Sequence, residues 1–418
     1  MSSSPAFKTA SRFETLQIHA GQKTDPVSKS RAVPIYQTAC YGLEEDGNIG
    51  TRTMNPTTDV LEKRMAALEG GLAAVAVASG QSAVFMTMLC LAGRGESIIS
   101  TANMYHGAYN QFSFLLPDLG ISVAIVPETL QSIEAAIDET TRAIYIESMG
   151  HPRMNVPDIE AIAQIAHRHG VPLVVDNTAG AGGYWCQPIL HGADIVTHSA
   201  SKWICSHGTS VGGVVIDSGR FDWRSPRFAR LNQPNPGFHN TNLHESFGQL
   251  AFVSRFRHQI LRDSGACLSP YNSRDLLIGL ETLSLRCERH TRNATELAVW
   301  LRDHPKISWV DYPGLKDHSE HAAATKYFPR GAGAVILFGF KGGAVAGESL
   351  VDGFKLITHM ASAATHPWSS THKPMYPKEK IDLGVTEDMI RISVGLEHIE
   401  DLKEDIQQSI NTYEQTID

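Results

Sequence analysis

The sequence predicts an α/β protein with a mostly parallel, doubly wound sheet, followed by a smaller C-terminal α+β domain. Three observations predict it. Short β-rich apolar runs alternate with helix-period stretches between residues 58 and 218. Glycine punctuates a strand–turn–helix passage: AAVAVAS, then Gly80, then SAVFMTMLCLAG. From about residue 265 the texture changes to one long helical region followed by strand-like runs. Strands alternating with helices are the mark of layered, parallel α/β architecture.

Residues 1–60 hold few periodic apolar runs and many turn formers, including Pro34 and the Asn55-Pro56 pair. They read as an extended arm, of the kind that crosses onto a partner subunit. A helix begins at Thr58, where Val60, Leu61, Met65 and Leu68 recur at steps of three or four, and stops at Gly70-Gly71. After the first strand and helix, SIIS (97–100), ISVAIV (121–126) and RAIYIES (142–148) read as buried strands. IEAIAQIAHRHG reads as a helix closed by Gly170. VPLVVDN (171–177), ADIVTHS (193–199) and VGGVVIDS (211–218) are further strands. The stretch from SPYNSRDLLIGLE to AVWLRDHP reads as one helical region, with ISWVDY, GAVILFGF and MIRISVG as strands. The chain thus divides into an arm (1–60), a main domain (61–265) and a C-terminal domain (266–418).

Composition narrows the function. With 36 Lys+Arg against 44 Asp+Glu the formal net charge is −8, which argues against a general nucleic-acid binder. No 18-residue apolar run is present, so no membrane span is expected. Six scattered cysteines without a CxxC pair read as reduced thiols of a cytoplasmic protein. The N-terminus lacks the apolar stretch of a secretory signal. GQSAV lacks the last glycine of a GxSxG elbow, and GFKGGAVAG does not fit GxGxxG, which disfavours hydrolase and dinucleotide readings; no HExxH occurs and no metal is expected.

In doubly wound sheets ligands bind beyond the carboxyl ends of strands. There the sequence places Ser79, Gly80, Gln81 and Ser82; Tyr105 and His106; Asp176, Asn177 and Thr178; and Ser199, Ser201 and Lys202. A glycine turn opening a helix offers N–H groups and a positive dipole end to a phosphate. Ser199 and Ser201 would add hydroxyls. A lysine at a strand end is a plausible imine former. A carboxylate beside a pyridinium nitrogen would keep that ring protonated. Singly, each has an ordinary reading, as a surface charge, a helix start or a helix cap. Together they match a pyridoxal 5'-phosphate (PLP) site.

The chain resembles the Cys/Met-metabolism family of fold-type-I PLP-dependent enzymes, most of all its O-acetylhomoserine sulfhydrylases. FETLQIHAGQ, RTMNPTTDVLEKRMAALEGG, VASGQSA, MYHGAYNQF, VVDNT, HSASKWICSHG, LETLSLRCERH, DYPGLKDH and RISVGLE carry the resemblance over nearly the whole length. It implies a fold-type-I transferase with a seven-stranded sheet. It implies that Lys202 forms the Schiff base and shuttles protons, Asp176 pairs the ring nitrogen, and Tyr105 stacks on the ring. Gly80, Gln81, Ser199 and Ser201 would hold the phosphate, joined by Arg52 from a neighbouring subunit's arm. Thr178 would line the ring, Arg391 would grip the substrate carboxylate, and Ser362 would sit near it. The partners implied are an amino-acid substrate, a nucleophile co-substrate and further copies of the chain, in a dimer or tetramer. The implied reaction is γ-substitution on O-acetyl-L-homoserine through a vinylglycine-type ketimine, with release of acetate.

Four departures surround the site. The family's arm tyrosine is Gly50; Tyr-Gly-Gly-Thr reads Tyr105-His106-Gly107-Ala108; and the Asn that approaches the ring hydroxyl is His151. The loop near Trp368 is shorter than the sulfhydrylase pattern. A retained machinery with an opened mouth leads us to expect a nucleophile bulkier than sulfide, a carbon nucleophile in a biosynthetic pathway. Sulfide (homocysteine synthesis), γ-elimination and a non-catalytic relative of the fold are the alternatives.

Overall fold

The computed structural model describes residues 11–42, 50–357, 362–370, 373, 376–382 and 384–417. These form two compact units, one of residues up to 148 with 157–283, the other of 149–156 with 284 onward.

The first unit holds a seven-stranded sheet: β1 (Ala73–Val77), β2 (Ser97–Thr101), β3 (Ser122–Val126), β4 (Thr141–Glu147), β5 (Leu173–Asp176), β6 (Ile195–Ser199) and β7 (Gly213–Asp217), in the order β1-β7-β6-β5-β4-β2-β3. All seven runs read from the sequence are strands. β3, β2, β4, β5 and β6 are mutually parallel; β7 runs antiparallel to both β6 and β1. β1 therefore points the same way as β6, and six strands deliver their carboxyl ends to one edge. Leu173, Val174 and Val175 of β5 are all fully buried, the pattern of a strand covered on both faces.

Helices cover the sheet. α1 (Phe13–His19) and α2 (Pro56–Glu69) come first, then α3 (Gly80–Leu91), α4 (Ile159–Arg168) and α5 (Pro270–Glu281). The arm is thus not extended throughout. Phe13 and Gln17 lie one turn apart on α1 and are buried, and the Phe13 ring meets Tyr184 edge-on at 5.4 Å. α2 starts two residues before Thr58. The Asn55-Pro56 pair is its start signal: Asn55 Oδ1 accepts from Thr57 N–H at 2.9 Å, and Pro56 takes the first helical position. α2 ends on Gly70 at φ +75°, a left-handed cap that glycine adopts without strain.

The long helical region after residue 265 is two helices, broken at Thr282, and the boundary between units falls there rather than at 265. α5 stays with the first unit because it packs on α2, where Thr58 and Ser273 hydroxyls meet at 2.7 Å. Gly279 presses on the main chain after β6; a Cβ there would lie 2.2 Å from the Ile204 carbonyl oxygen.

The second unit has an antiparallel four-stranded sheet: β8 (Ile307–Asp311), β9 (Val335–Phe340), β10 (Ala363–Thr365) and β11 (Met389–Ser393), in the order β8-β9-β11-β10. α6 (Leu283–Arg302), α7 (Gly343–Asp352) and α8 (Ile399–Ile417) complete it, α7 packing on α8 and on β9 and β11. β10, too short and too rich in alanine for an apolar signal, had no sequence expectation. All six cysteines are free thiols. Among the described residues no helix is long and apolar enough to cross a membrane.

One core group has a pH consequence. Asp217, fully buried at the end of β7, keeps one hydrogen bond, from Gly219 N–H at 2.8 Å. Burial, with Asp194 nearby adding to it, pushes its carboxyl up to about 7. A folded value above the unfolded one means the native state holds the extra proton, so stability falls as pH rises from about 4 to 7. We expect Asp217→Asn, which retains the acceptor for Gly219, to reduce that fall by on the order of 2 kcal/mol between pH 5 and 8. Thermal melts of both proteins at the two pH values check it.

Candidate active site

The polar groups gather at the edge where the parallel strands end. After β1, the Ser79 hydroxyl accepts from Ser82 N–H at 3.1 Å and caps α3. The N–H groups of Gly80 and Gln81 precede any intrahelical acceptor, so with the helix dipole they form an anion seat. Gly80 is not left-handed; glycine is required by close approach. A Cβ there would lie 2.5 Å from Ser199 Cβ and 2.7 Å from Ser199 Cα. On the other side, a Cβ at Gly213 would lie 2.1 Å from the Ser79 carbonyl oxygen.

Asp176 ends β5 between Glu147 of β4 and Thr197 of β6. Its Oδ1 accepts from Thr178 N–H at 2.9 Å, and Thr178 Oγ1 accepts from Ser199 N–H at 2.8 Å. Tyr145 is fully buried nearby, and burial together with the Asp176 and Glu147 carboxylates pushes its phenol well up. Tyr105 caps the short helix His106–Asn110 and donates its N–H to Glu147 Oε1 at 2.6 Å. A Cβ at Gly107 would lie 2.6 Å from the Tyr105 ring and 2.7 Å from Gln81 Nε2, so the two side chains converge over this glycine. Lys202 follows β6 with an exposed side chain, its N–H donating to the Ser199 carbonyl at 3.3 Å.

Strand ends thus bring Gly80, Gln81, Tyr105, Asp176, Thr178, Ser199 and Lys202 to one edge. Ser201 turns instead to its own loop, donating to the Gly212 carbonyl at 3.3 Å and accepting from Gly212 N–H at 3.0 Å. Gly50 bridges Cys40, and Arg52 is exposed in the turn that follows. Glu147 was not singled out from sequence, although it too is a carboxylate directly after a buried strand, the criterion that found Asp176.

The second unit carries the other three residues. Arg391 is the middle residue of β11, paired with Leu337 and Thr365, and desolvation lowers its guanidinium from the ordinary value. Ser362 is buried: its hydroxyl donates to Glu397 at 2.9 Å and accepts from Gly395 N–H at 2.7 Å. α6 holds the same exit from β11 through Asn293, which donates to the Gly395 and Glu397 carbonyls at 3.0 and 2.9 Å. His151 precedes Pro152 through a cis peptide bond. Near Trp368, residues 358–361 and 371–372 lie outside the described residues.

Comparison with known proteins matches residues 14–411 to the model of the Cys/Met metabolism PLP-dependent enzymes. The chain belongs to that family. It is 52% identical over 418 residues to "Sulfhydrylase FUB7" of Fusarium oxysporum, covering 95% of this chain and 96% of that protein. It is 50% identical over 419 residues to the homocysteine synthase of Schizosaccharomyces pombe, covering 95% and 98%. A crystal structure of a putative O-acetylhomoserine (thiol)-lyase from Campylobacter jejuni, containing N'-pyridoxyl-lysine-5'-monophosphate, superposes with a TM-score of 0.91. It is 34% identical to this chain and covers 96% of it and 100% of its own. The fold is fold type I, and the protein is a PLP-dependent transferase. The first unit's residues fit that cofactor: a lysine for attachment, a carboxylate for a pyridinium nitrogen, an aromatic ring and an anion seat. They line a cradle that side chains at 80 or 107 would fill.

Gly80→Ala must push Ser199 and α3 apart. We expect PLP affinity to fall about tenfold or more, as when a supporting group is lost around a bound cofactor; titration of the apoprotein with PLP measures it. Lys202→Ala should leave no protein-bound pyridoxyl group after borohydride reduction, read by intact mass.

Proposed function

We propose that the protein catalyses γ-substitution on O-acetyl-L-homoserine, replacing acetate by hydrosulfide to make homocysteine. The observation that carries this reading is the likeness, over 95% of the chain, to a homocysteine synthase and to a sulfhydrylase. In the reaction the Cγ–O bond breaks, acetate leaves with the bonding pair, and sulfur forms the new bond at Cγ. PLP, when bound, supplies the electron sink for negative charge at Cα.

The chain's own residues would divide the remaining work. Lys202 removes and returns the proton at Cα, and its exposed side chain leaves room for that travel. Asp176 holds a proton at the ring nitrogen. Tyr105 covers the ring face, Thr178 lines it, and His151 offers a donor to the ring hydroxyl where the family has an asparagine. Gly80 and Gln81 N–H groups, with Ser199, take the phosphate, while Ser201 stays on Gly212. Arg391 binds the substrate carboxylate bidentately. Ser362, through Glu397 and Gly395, braces the strand exit next to Arg391. Arg52 reaches the phosphate of a second subunit, so the active form is a homodimer at least, with a tetramer as the fuller assembly. Residues 35–40 of the arm are all exposed in the single chain, which suits a segment meant for a partner. The free thiols suit a cytoplasmic setting.

A second reading rests on Gly50. Loss of the arm tyrosine favours a bulkier carbon nucleophile, a β-keto acid derivative adding at Cγ. Incubation with O-acetylhomoserine and each nucleophile in turn, read by mass spectrometry, separates the two. Homocysteine with sulfide and no carbon adduct supports the first. A carbon adduct formed faster than homocysteine overturns it. Keto acid released without any nucleophile would place the protein among γ-lyases.

Two variants probe the roles. Arg391→Lys keeps the charge but loses the fork, and should raise KM for the amino acid by about tenfold or more in steady-state assays. Arg52→Ala should speed PLP loss on dialysis, and mixing it with Lys202→Ala should restore part of the activity if the arm works across subunits.

A further inference from the structure

Behind the cofactor-holding strand ends lies a buried polar cluster that no step above uses. Glu69, the last residue of α2, has no exposed surface. Its Oε1 accepts from two side chains, Asn177 Nδ2 at 2.8 Å and His198 Nε2 at 2.6 Å, both of them buried. The Asn177 amide also donates to the Cys186 carbonyl at 2.8 Å.

The two donors stand at telling positions. Asn177 sits between Asp176 and Thr178; His198 immediately precedes Ser199. Neighbouring side chains on a strand point to opposite faces, so His198 reaches Glu69 on the side away from Ser199. The same strand ends are also joined through the main chain, Asn177 N–H donating to the Thr197 carbonyl at 2.8 Å. One carboxylate therefore holds the neighbour of the ring anchor and the neighbour of the phosphate anchor.

As a device for stability the cluster is poor. Glu69 Oε2, Asn177 Oδ1 and His198 Nδ1 are buried without a hydrogen-bond partner among the described residues, and each such atom costs folding free energy. Well-packed apolar groups would serve stability better. What the polar cluster offers is a fixed geometry, since a two-pronged hydrogen bond sets distance and direction where apolar contact does not.

We propose that Glu69 is a positioning residue for the cofactor. Through Asn177 and His198 it holds the ends of β5 and β6 at the separation that lets Asp176 meet the ring nitrogen and Ser199 the phosphate of one PLP molecule.

The test uses PLP titration of full-length apoprotein, followed by quenching of tryptophan fluorescence, together with the melting temperature of each apoprotein. Glu69→Ala should raise the dissociation constant for PLP about tenfold or more, in line with the loss of a supporting partner. Glu69→Gln, which keeps the length and an acceptor oxygen, should recover most of that loss. Leu276→Ala, in the buried face of α5, serves as a destabilised control. If Glu69→Ala does not fold, His198→Leu, which removes one of the two ties, is titrated in its place. Unchanged PLP affinity in whichever folded variant is measured overturns the proposal. So does an equal loss in the Leu276→Ala control at a matched melting temperature, because the effect would then be one of general stability.

Discussion

The approach of Gly80 to Ser199 is the constraint on which the rest of the site depends. Two main chains, the start of α3 and the end of β6, come closer than any side chain permits. That contact sets a helix N-terminus against a strand terminus, and it puts the anion seat next to the turn that bears Lys202. Gly213 allows the same closeness on the opposite flank. Once α3 is docked in this way, Gln81 lies where Tyr105 can meet it over Gly107. The site is thus shaped first by missing Cβ atoms and only then by functional side chains.

Charge in this protein is placed rather than spread. On the function proposed above, a chain with a net charge of −8 would serve an anionic cofactor and a carboxylate substrate through a few local groups: N–H donors at a helix start, Lys202, Arg52 and Arg391. The buried carboxylates show how much this placement depends on partners. Glu69 and Glu147 each have hydrogen-bond donors supplied at strand ends. Asp217 has a single donor among the described residues, and its carboxyl rises towards neutrality. A buried carboxyl with donors converging on it can serve as a fixed point for geometry; at Asp217 burial favours the protonated form.

Much of this was legible in the residues. The seven strands of the main sheet follow from runs of apolar, β-branched residues bounded by glycine and polar turns, because a strand buried on both faces has no other way to be written. Asp176, Ser199 and Lys202, picked out because ligands bind beyond strand ends in doubly wound sheets, do lie at the carboxyl ends of β5 and β6. The break at Thr282 could not, since helical periodicity runs on through it and only the packing of α5 on α2 assigns the two halves to different units. α1 was equally hidden: one turn of buried anchoring, from Phe13 and the polar Gln17, is too little signal to stand out from an extended arm. Ser201 shows the opposite failure, a hydroxyl in the expected motif that turns to Gly212 instead.

The sequence by itself determined the family, the cofactor and the order of elements, because these are carried by motifs and periodicities that survive in one dimension. The departures at Gly50, His106, Ala108 and His151 were also visible there, though not what they accomplish. Only the tertiary structure decided which glycines are required by contact rather than by φ, and that Glu147 supports Tyr105. It alone placed Glu69, Asn177 and His198, far apart along the chain, on one shared oxygen atom. The reason is physical. Local patterns record what a residue does to its own backbone, whereas a close approach or a shared acceptor exists only when distant segments are packed together.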